Sequence, residues 1–551
     1  MRTIPSKETL TVEFKSDIKR LPDSNLLDEI VAMANTDGGT LYLGVEDDGS
    51  ITGVHQAHAD EIGITALIAN RTVPSVSVRA ELIDEEGKNV LKLLIPRSSA
   101  VIATSDGKIL RRRLKLDGQP ECIPMYPYEI PSRLSTLSLL DYSAQILSNA
   151  TLDDFDPNER QRLKRMISLR NGDKSLLSLT DEELDKALRL VKDDNGTLRP
   201  TVTGLLLIGR EKSIAELLPG ARASFQVLQG SAVRKNEETT RPLLAVFELF
   251  EDYLSAWNAE TEMEYGLFQI AVPDFSVPAF REGLVNAFAH RDYTLLQSIR
   301  VAIEDDGLVI SSPGGFIDGV NLDNLLTVEP HGRNPALSDA LKRAGLAEKT
   351  GRGIDRIYEG SIIYGRPLPD YSESNSSLVK LFLQRAEPDL PFAKMIADEE
   401  NRLGRSLPIY SLMILSLLRT NRRMTLRELT EALHINESRV KANVEKLVES
   451  GLIEPAGSGR SRSYILSFKV YMSQENAASY VRQAGIPSVK HEALVEELAR
   501  RQSGYVTRDN AAELLNITPS QAYRLLKGMV DKGKLELEGS GRGARYRLKE
   551  T

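Results

Sequence analysis

A chain of 551 residues, 41% hydrophobic and 27% charged, exceeds what one hydrophobic core organises and is too apolar to be largely disordered or collagen-like, so about three to five domains are expected. No apolar run approaches the roughly 20 residues of a membrane span and no signal-peptide core is present, which predicts a soluble, cytoplasmic protein with no membrane partner; the lone cysteine, Cys122, excludes an internal disulfide and a cysteine-based zinc cluster. The net charge of −8 is unevenly spread: residues 405–551 carry 24 Lys+Arg against 16 Asp+Glu, and the preceding residues 46 against 62, so polyanion binding is sought in the C-terminal part.

Residues 1–125 open with the alternation Thr11-Val12-Glu13-Phe14-Lys15, a strand with Val12 and Phe14 on one face and Thr11, Glu13 and Lys15 on the other. A helix follows, with Ser24 as N-cap and Leu26, Leu27, Ile30, Val31 and Ala34 at helical spacing, until Asp37-Gly38-Gly39 stops it. TLYLGVEDDGSITGV reads as a strand turning tightly at Asp48-Gly49, and the alternating runs SVSVRAELID and NVLKLLIPRS complete a mixed-sheet domain. Residues 126–200 are polar and helix-rich, a helical linker with a capping-box pattern at Thr180–Glu183. Residues 201–390 alternate helices and strands and end in the strand-like SLVKLFLQ.

Beyond residue 405 the chain repeats itself: ESRVKANVEKLVESGLIEPAGSGRSRSYIL is echoed by PSQAYRLLKGMVDKGKLELEGSGRGARYRL. Each copy reads as a helix pair, an amphipathic helix and a hairpin turning at Gly-Ser-Gly-Arg, a layout that resembles the winged helix-turn-helix twice, over 405–470 and 485–551. Recognition helices are expected at about 437–450 and 519–532, with Arg439, Lys441, Asn443, Arg524 and Lys527 facing a major groove and Arg460, Arg462, Arg542 and Arg545 on the wings reaching phosphate. The alternative for such a pair is protein docking or dimerisation.

In PAFREGLVNAFAHRDY, Pro278 suits a first helical turn and Phe280, Leu284 and Phe288 form an apolar stripe. Glu282 and Asn286 share a face roughly opposite Leu284, where a carboxylate can orient water and an amide can ligate magnesium, although such a pair is often only a solvated face. Strand-like GLVIS leads into Ser311-Ser312-Pro313-Gly314-Gly315, and Gly351-Arg352-Gly353 precedes a further helix; glycines before a helix admit phosphate to its positive end. On these residues the stretch 275–388 resembles the Bergerat-type ATPase fold of the GHKL superfamily, in its divergent RecG-like branch, of which HGRNPALSDALKRAGLAEKTGRGIDRI is also typical. The resemblance implies an ATP and Mg2+ (or Mn2+) site in which Glu282 is the general base, Asn286 a metal ligand, and Gly314, Gly315, Arg333, Asn334, Gly351 and Gly353 bind nucleotide. One departure stands out: where the superfamily places an aspartate to read adenine, this chain has Ser311 or Ser312.

At the N-terminus, Glu13 and Lys15 share a strand face, Glu8 lies five residues earlier and Asp47 ends the next strand; converging acids with a lysine can hold divalent ions for phosphodiester cleavage, and can equally form a solvated edge. The order Glu8, Glu13-Phe14-Lys15, then MANTDGGTLYLGVEDDG resembles the Schlafen AlbA-like domain, and the resemblance implies Glu8, Glu13 and Asp47 as a metal-binding acidic triad with Lys15 beside it. Arg111, Arg112 and Arg113 suit either a nucleic-acid backbone or salt bridges to that acidic surface. No Gly-x-x-x-x-Gly-Lys-Ser/Thr or Gly-x-Ser-x-Gly motif is present, so P-loop and serine-hydrolase chemistry lose support.

The expected whole is an α+β multidomain chain: an AlbA-like mixed sheet, a Bergerat-type α/β sandwich and two winged helices. Its expected function is that of an ATP-binding, nucleotide-responsive DNA-binding regulator, with RNA a second nucleic-acid partner to test and homo-oligomers expected of such domains. The alternatives are an ATP-gated, metal-dependent nuclease of prokaryotic defence, and an interaction scaffold without activity.

Overall fold

The computed structural model describes residues 4–549 except Leu116, Asn171, 266–267, Pro330, 348–351, 458–461, 468–487, Ser503, 516–517 and 540–543. Within them the chain is an α+β multidomain protein, and no described helix is long and apolar enough to cross a membrane.

The first strand, Val12–Lys15, runs parallel to Gly39–Leu43, a pairing that needs a crossover, which helix Asp23–Ala34 supplies. Strands Lys88–Ile95 and Arg79–Glu85 extend the sheet antiparallel. Its two faces separate by alternation: Leu41 and Leu43 join Leu26, Ile30, Leu91 and Leu93, whereas Phe14 and Tyr42 pack with Val45, Ile51 and Val90 on the other side. The helix begins after Pro22, which offers no side-chain cap, so Ser24 lies inside the first turn and is not the expected N-cap. Beyond its end, Gly39 adopts φ +138, and a Cβ there would lie 2.2 Å from the Thr11 carbonyl oxygen, so only glycine lets the second strand come this close.

The central sheet has the order Ala232–Thr239, Ala223–Gln229, Ile299–Ile303, Gly307–Pro313, Leu378–Gln384, with only the second and third strands parallel. Helix Leu243–Trp257 packs on strand Ala223–Gln229, helix Val277–Ala289 on strand Gly307–Pro313, and helix Gly353–Ile362 on helix Val277–Ala289. Phe225 sits at the centre, fully buried, with Phe250 and Tyr253 edge-on at 5.3 and 5.4 Å. Residues 126–200, expected as a linker, do not stand apart: Phe155, Leu163, Ile167 and Leu184 belong to the same core as this sheet. The expected capping box at Thr180 and Glu183 is formed.

The sequence repeat is a structural repeat. Helices Ile409–Asn421, Leu426–Leu433 and Glu437–Glu449 are followed by a small sheet in which Ser463–Leu466 lies between Met424–Thr425 and Ile453–Ala456. Helices Ser488–Arg501, Arg508–Leu515 and Pro519–Asp531 repeat this, with Arg545–Leu548 between Tyr505–Thr507 and Leu535–Glu538. Capping boxes start the second helix of the first copy, at Thr425/Glu428, and the third helix of the second copy, at Thr518/Gln521.

Because Phe225 fills the centre of the large core, Phe225→Ala is expected to lower stability by about 3–5 kcal/mol, read as a shift in the urea midpoint of the transition reported by Trp257 fluorescence.

Candidate nucleotide seat and nucleic-acid surfaces

Helix Val277–Ala289 starts at Ser276, whose hydroxyl accepts from the Ala279 N–H, and has Pro278 in its first turn. Phe280, Leu284 and Phe288 are buried against the sheet as their spacing predicts. Glu282 is buried too, at 6% exposure, which rules out the alternative of a solvated face opposite Leu284; helix Gly353–Ile362 packs on this helix. The two helices approach so closely that a Cβ on Gly353 would lie 2.0 Å from Glu282 Oε1, and one on Gly360 would lie 2.7 Å from Ala279 Cβ. The Glu282 carboxylate therefore rests at the N-terminal end of helix Gly353–Ile362, where backbone dipoles favour an anion. Asn286, one turn further on, is half-buried.

The first glycine element is occupied by the protein itself. The Gly314 and Gly315 N–H groups donate to the Ser377 and Ser376 carbonyls at 2.8 and 3.2 Å, so they are not free to cradle phosphate. Ser312 donates to the Ala287 carbonyl at 2.7 Å and Ser311 faces the Arg300 carbonyl at 3.4 Å, so neither buried hydroxyl replaces an adenine-reading aspartate.

Arg333 and Asn334 correct a second expectation: at 1% and 0% exposure they line no open site. Arg333 donates to Thr136 Oγ1 at 2.8 Å and to the Gly315 carbonyl at 2.9 Å, and pairs with Asp292 at 3.4 Å; Asp292 in turn accepts from Ser132 at 2.5 Å. Burial pulls the guanidinium down, and Asp292 opposes that shift. Asn334 donates to the Ala289 and Arg291 carbonyls at 3.0 and 2.7 Å. Together they clamp helix Ile130–Thr136 and the glycine turn onto the end of helix Val277–Ala289. Ser132 and Thr136 had no signal in the sequence, because they meet Asp292 and Arg333 only through the fold.

In the N-terminal domain Glu13 is 5% exposed and pairs with both Arg112 and Lys15, and Lys15 also reaches Glu29 at 3.2 Å. Glu8 accepts the Phe14 N–H at 2.9 Å and is half-buried; Asp47 is exposed. Burial raises the Glu8 and Glu29 carboxyls, with Glu13 adding to both and Asp47 to Glu8. Lys15 is disfavoured as a cation by burial, but Glu29 and Glu13 outweigh this and its net shift is upward. Glu8, Glu13, Lys15 and Asp47 thus share one electrostatic neighbourhood, yet among the described residues no three His, Cys, Asp or Glu are placed to hold a metal ion. The expected convergence of Glu8, Glu13 and Asp47 into a triad of ligands is not formed, because Arg112 and Lys15 take the Glu13 oxygens. Arg111 and Arg113 pair with Glu129 and Glu121, each at 2.5 Å, so all three arginines of the run are salt-bridged. Glu29, missed in the sequence, reads there as one more solvated helix charge.

On the recognition helices Arg439, Lys441, Arg524 and Lys527 are exposed, as are Arg462 and Arg545 on the wings. Arg439 lies over the Tyr410 ring at 5.3 Å, Arg462 over Tyr464 at 5.6 Å and Arg545 over Tyr505 at 5.9 Å, contacts that hold each guanidinium without neutralising it. Asn443 corrects the groove assignment: 9% exposed, it accepts from Ser411 at 2.9 Å and donates to the Arg439 carbonyl at 2.8 Å, fixing its helix to Ile409–Asn421. Gly351, Arg460 and Arg542 lie outside the described residues.

Comparison with protein families matches residues 8–118 to "Schlafen, AlbA_2", 297–382 to "Putative ATP-dependent DNA helicase recG C-terminal", 135–224 to a domain of unknown function, and 408–454 to "Winged helix-turn-helix DNA-binding". The chain carries Schlafen AlbA_2, recG C-terminal and winged-helix domains. These are the domains of a nucleic-acid-binding protein with an ATPase-type region. The recG-type match begins after helix Val277–Ala289, so Glu282 and Asn286 fall outside it, and the domain of unknown function runs across the boundary expected at 200. No curated protein matches. Among solved structures, the DIP2311 protein from Corynebacterium diphtheriae is similar in fold, with a TM-score of 0.51 at 23% identity over 85% of this chain and 94% of that one.

Breaking the buried Glu13–Arg112 pair leaves an arginine uncompensated. Glu13→Gln is therefore expected to cost about 3–5 kcal/mol, against no more than about 0.5 kcal/mol for the exposed Asp47→Asn, in thermal unfolding followed by circular dichroism. Equal midpoints for the two variants would contradict the buried-pair assignment.

Proposed function

We propose that the protein is a nucleotide-responsive DNA-binding regulator, in which the winged helices hold DNA and the Glu282–Gly353 contact is the switch. One observation carries the reading: helix Gly353–Ile362 begins against Glu282 and ends in the winged-helix core, where Ile362 packs with Phe392, Leu412 and Leu415. A second link runs beside it. The loop after the first glycine element touches the first winged helix through Tyr410, which donates to the Leu326 carbonyl at 3.3 Å, and through His434, 3.2 Å from Asp323.

The residues suit a phosphate. Gly353 leaves a space that a Cβ would fill, and the anion now in it is the protein's own carboxylate. ATP with Mg2+, when bound, would supply a competing polyanion at this seat, held by Gly353 and by Asn286 one helical turn from Glu282. Glu282 then leaves the helix terminus, and the helix, released at one end, moves Ile362 and the helices packed on it. Because Ser311 and Ser312 are spent on backbone carbonyls, the seat selects for phosphate more than for adenine. On the winged helices Arg439, Lys441, Arg524 and Lys527 supply the phosphate and base contacts. The nuclease alternative has no such support, since Glu13 would first have to give up Arg112 and Lys15.

The test is duplex DNA affinity at fixed salt, by fluorescence anisotropy, with and without ATP–Mg2+ or a non-hydrolysable analogue. A change of about fivefold or more is expected in the wild type and its loss in Gly353→Ala, whose methyl fills the seat. Equal affinity with and without nucleotide would overturn the proposal, because a ligand shifts only states it binds differently.

A further inference from the structure

Three tyrosines among the described residues are more than a third exposed: Tyr523, which lies on the second recognition helix, and Tyr126 and Tyr128, which lie far from either winged helix in sequence. Tyr126 and Tyr128 are 50% and 74% exposed, and their rings are parallel within 7° with centroids 6.0 Å apart. Two large aromatic rings this exposed leave apolar area that a ligand can cover.

The pair is held in place. Pro127 fixes the backbone between the two rings. The Tyr126 N–H donates to Glu129 Oε2 at 2.8 Å, the Glu129 N–H returns to the Tyr126 carbonyl at 2.9 Å, and the Met125 N–H donates to the Ile109 carbonyl at 2.8 Å. Glu129 is itself held by Arg111 at 2.5 Å. The rings thus stand on a closed turn braced to strand Leu110–Leu114. That strand also presents Arg113, 55% exposed, which pairs with Glu121 at 2.5 Å and lies near enough to the Tyr126 hydroxyl to interact with it electrostatically. A flat aromatic surface with a guanidinium at its margin fits unstacked bases joined by phosphates; in a duplex the base faces are already covered.

We infer that Tyr126 and Tyr128 form a stacking platform for single-stranded nucleic acid, distant in sequence from the winged helices and just beyond the stretch matched to the AlbA_2 domain, to which Arg113 belongs. Tyr126 and Tyr128 stack on bases, and Arg113 exchanges its Glu121 partner for the phosphate between them. This site does not depend on the nucleotide switch.

The experiment uses full-length protein with excess unlabelled duplex to occupy the winged helices, and two labelled probes of about 12 nucleotides, oligothymidylate and an abasic strand of equal charge. Wild type is expected to bind oligothymidylate at least about fivefold more tightly than the abasic strand. Tyr126→Ala/Tyr128→Ala should remove that preference, Tyr126→Phe/Tyr128→Phe should keep it, and both should bind duplex as the wild type does, which reports an intact fold. Equal affinity of the wild type for the two probes would overturn the inference, as would an alanine variant that keeps the preference. A change in sedimentation mass of the alanine variant, with oligothymidylate binding unaltered, would instead assign the surface to protein docking and overturn it as well.

Discussion

The contact between the Glu282 carboxylate and the start of helix Gly353–Ile362 constrains the whole central region. A buried carboxylate is tolerated only where positive potential meets it, and a helix N-terminus provides that within one turn. The contact exists because position 353 carries no side chain and position 360 lets the two helices lie against each other. The same helix ends among winged-helix side chains, so the two domains cannot settle independently. In the proposed function this single helix would couple the anion site to the winged helices without a long-range pathway.

Elsewhere the buried charges hold elements together. Arg333 and Asp292 tie the chain leaving the N-terminal domain to the glycine turn, and Glu13 with Arg112 ties the first strand to Leu110–Leu114. Such pairs are costly to desolvate and costlier to break, so their value lies in fixing one arrangement. Asn443 does the same with hydrogen bonds between two helices of the first winged unit. Exposed charge follows a different logic: Arg439, Arg462 and Arg545 on the recognition helix and wings lie over tyrosine rings and remain open to solvent.

Much of the architecture was legible because it rests on periodicity and turn chemistry. The strand–helix–strand order of the N-terminal mixed sheet, the Thr180 capping box and the repeated winged units all follow from local pattern, whereas the parallel pairing of the two strands is seen only in the fold. The polar sites were legible in membership and misread in role. Glu13, Glu282 and Asn443 were picked out by type and spacing, Arg333 and Asn334 by the resemblance to the RecG-like branch, and each is buried. Spacing along one strand or helix says which residues share a face; it does not say whether a second element covers that face. For Glu282 the covering helix lies some seventy residues later, and for Glu13 the covering arginine about a hundred. Tyr126 and Tyr128 were overlooked for the converse reason, since a Tyr-Pro-Tyr segment in a connector carries no period, and only the fold shows both rings stacked and exposed.

The most direct test of the switch is calorimetric titration of a non-hydrolysable ATP analogue with Mg2+ into wild type and Glu282→Gln. If the carboxylate occupies the phosphate seat, removing its charge removes a competitor, and the variant should bind several-fold more tightly, as expected for about 1 kcal/mol of anion–helix interaction. Weaker binding by Glu282→Gln, or identical binding, would contradict the account.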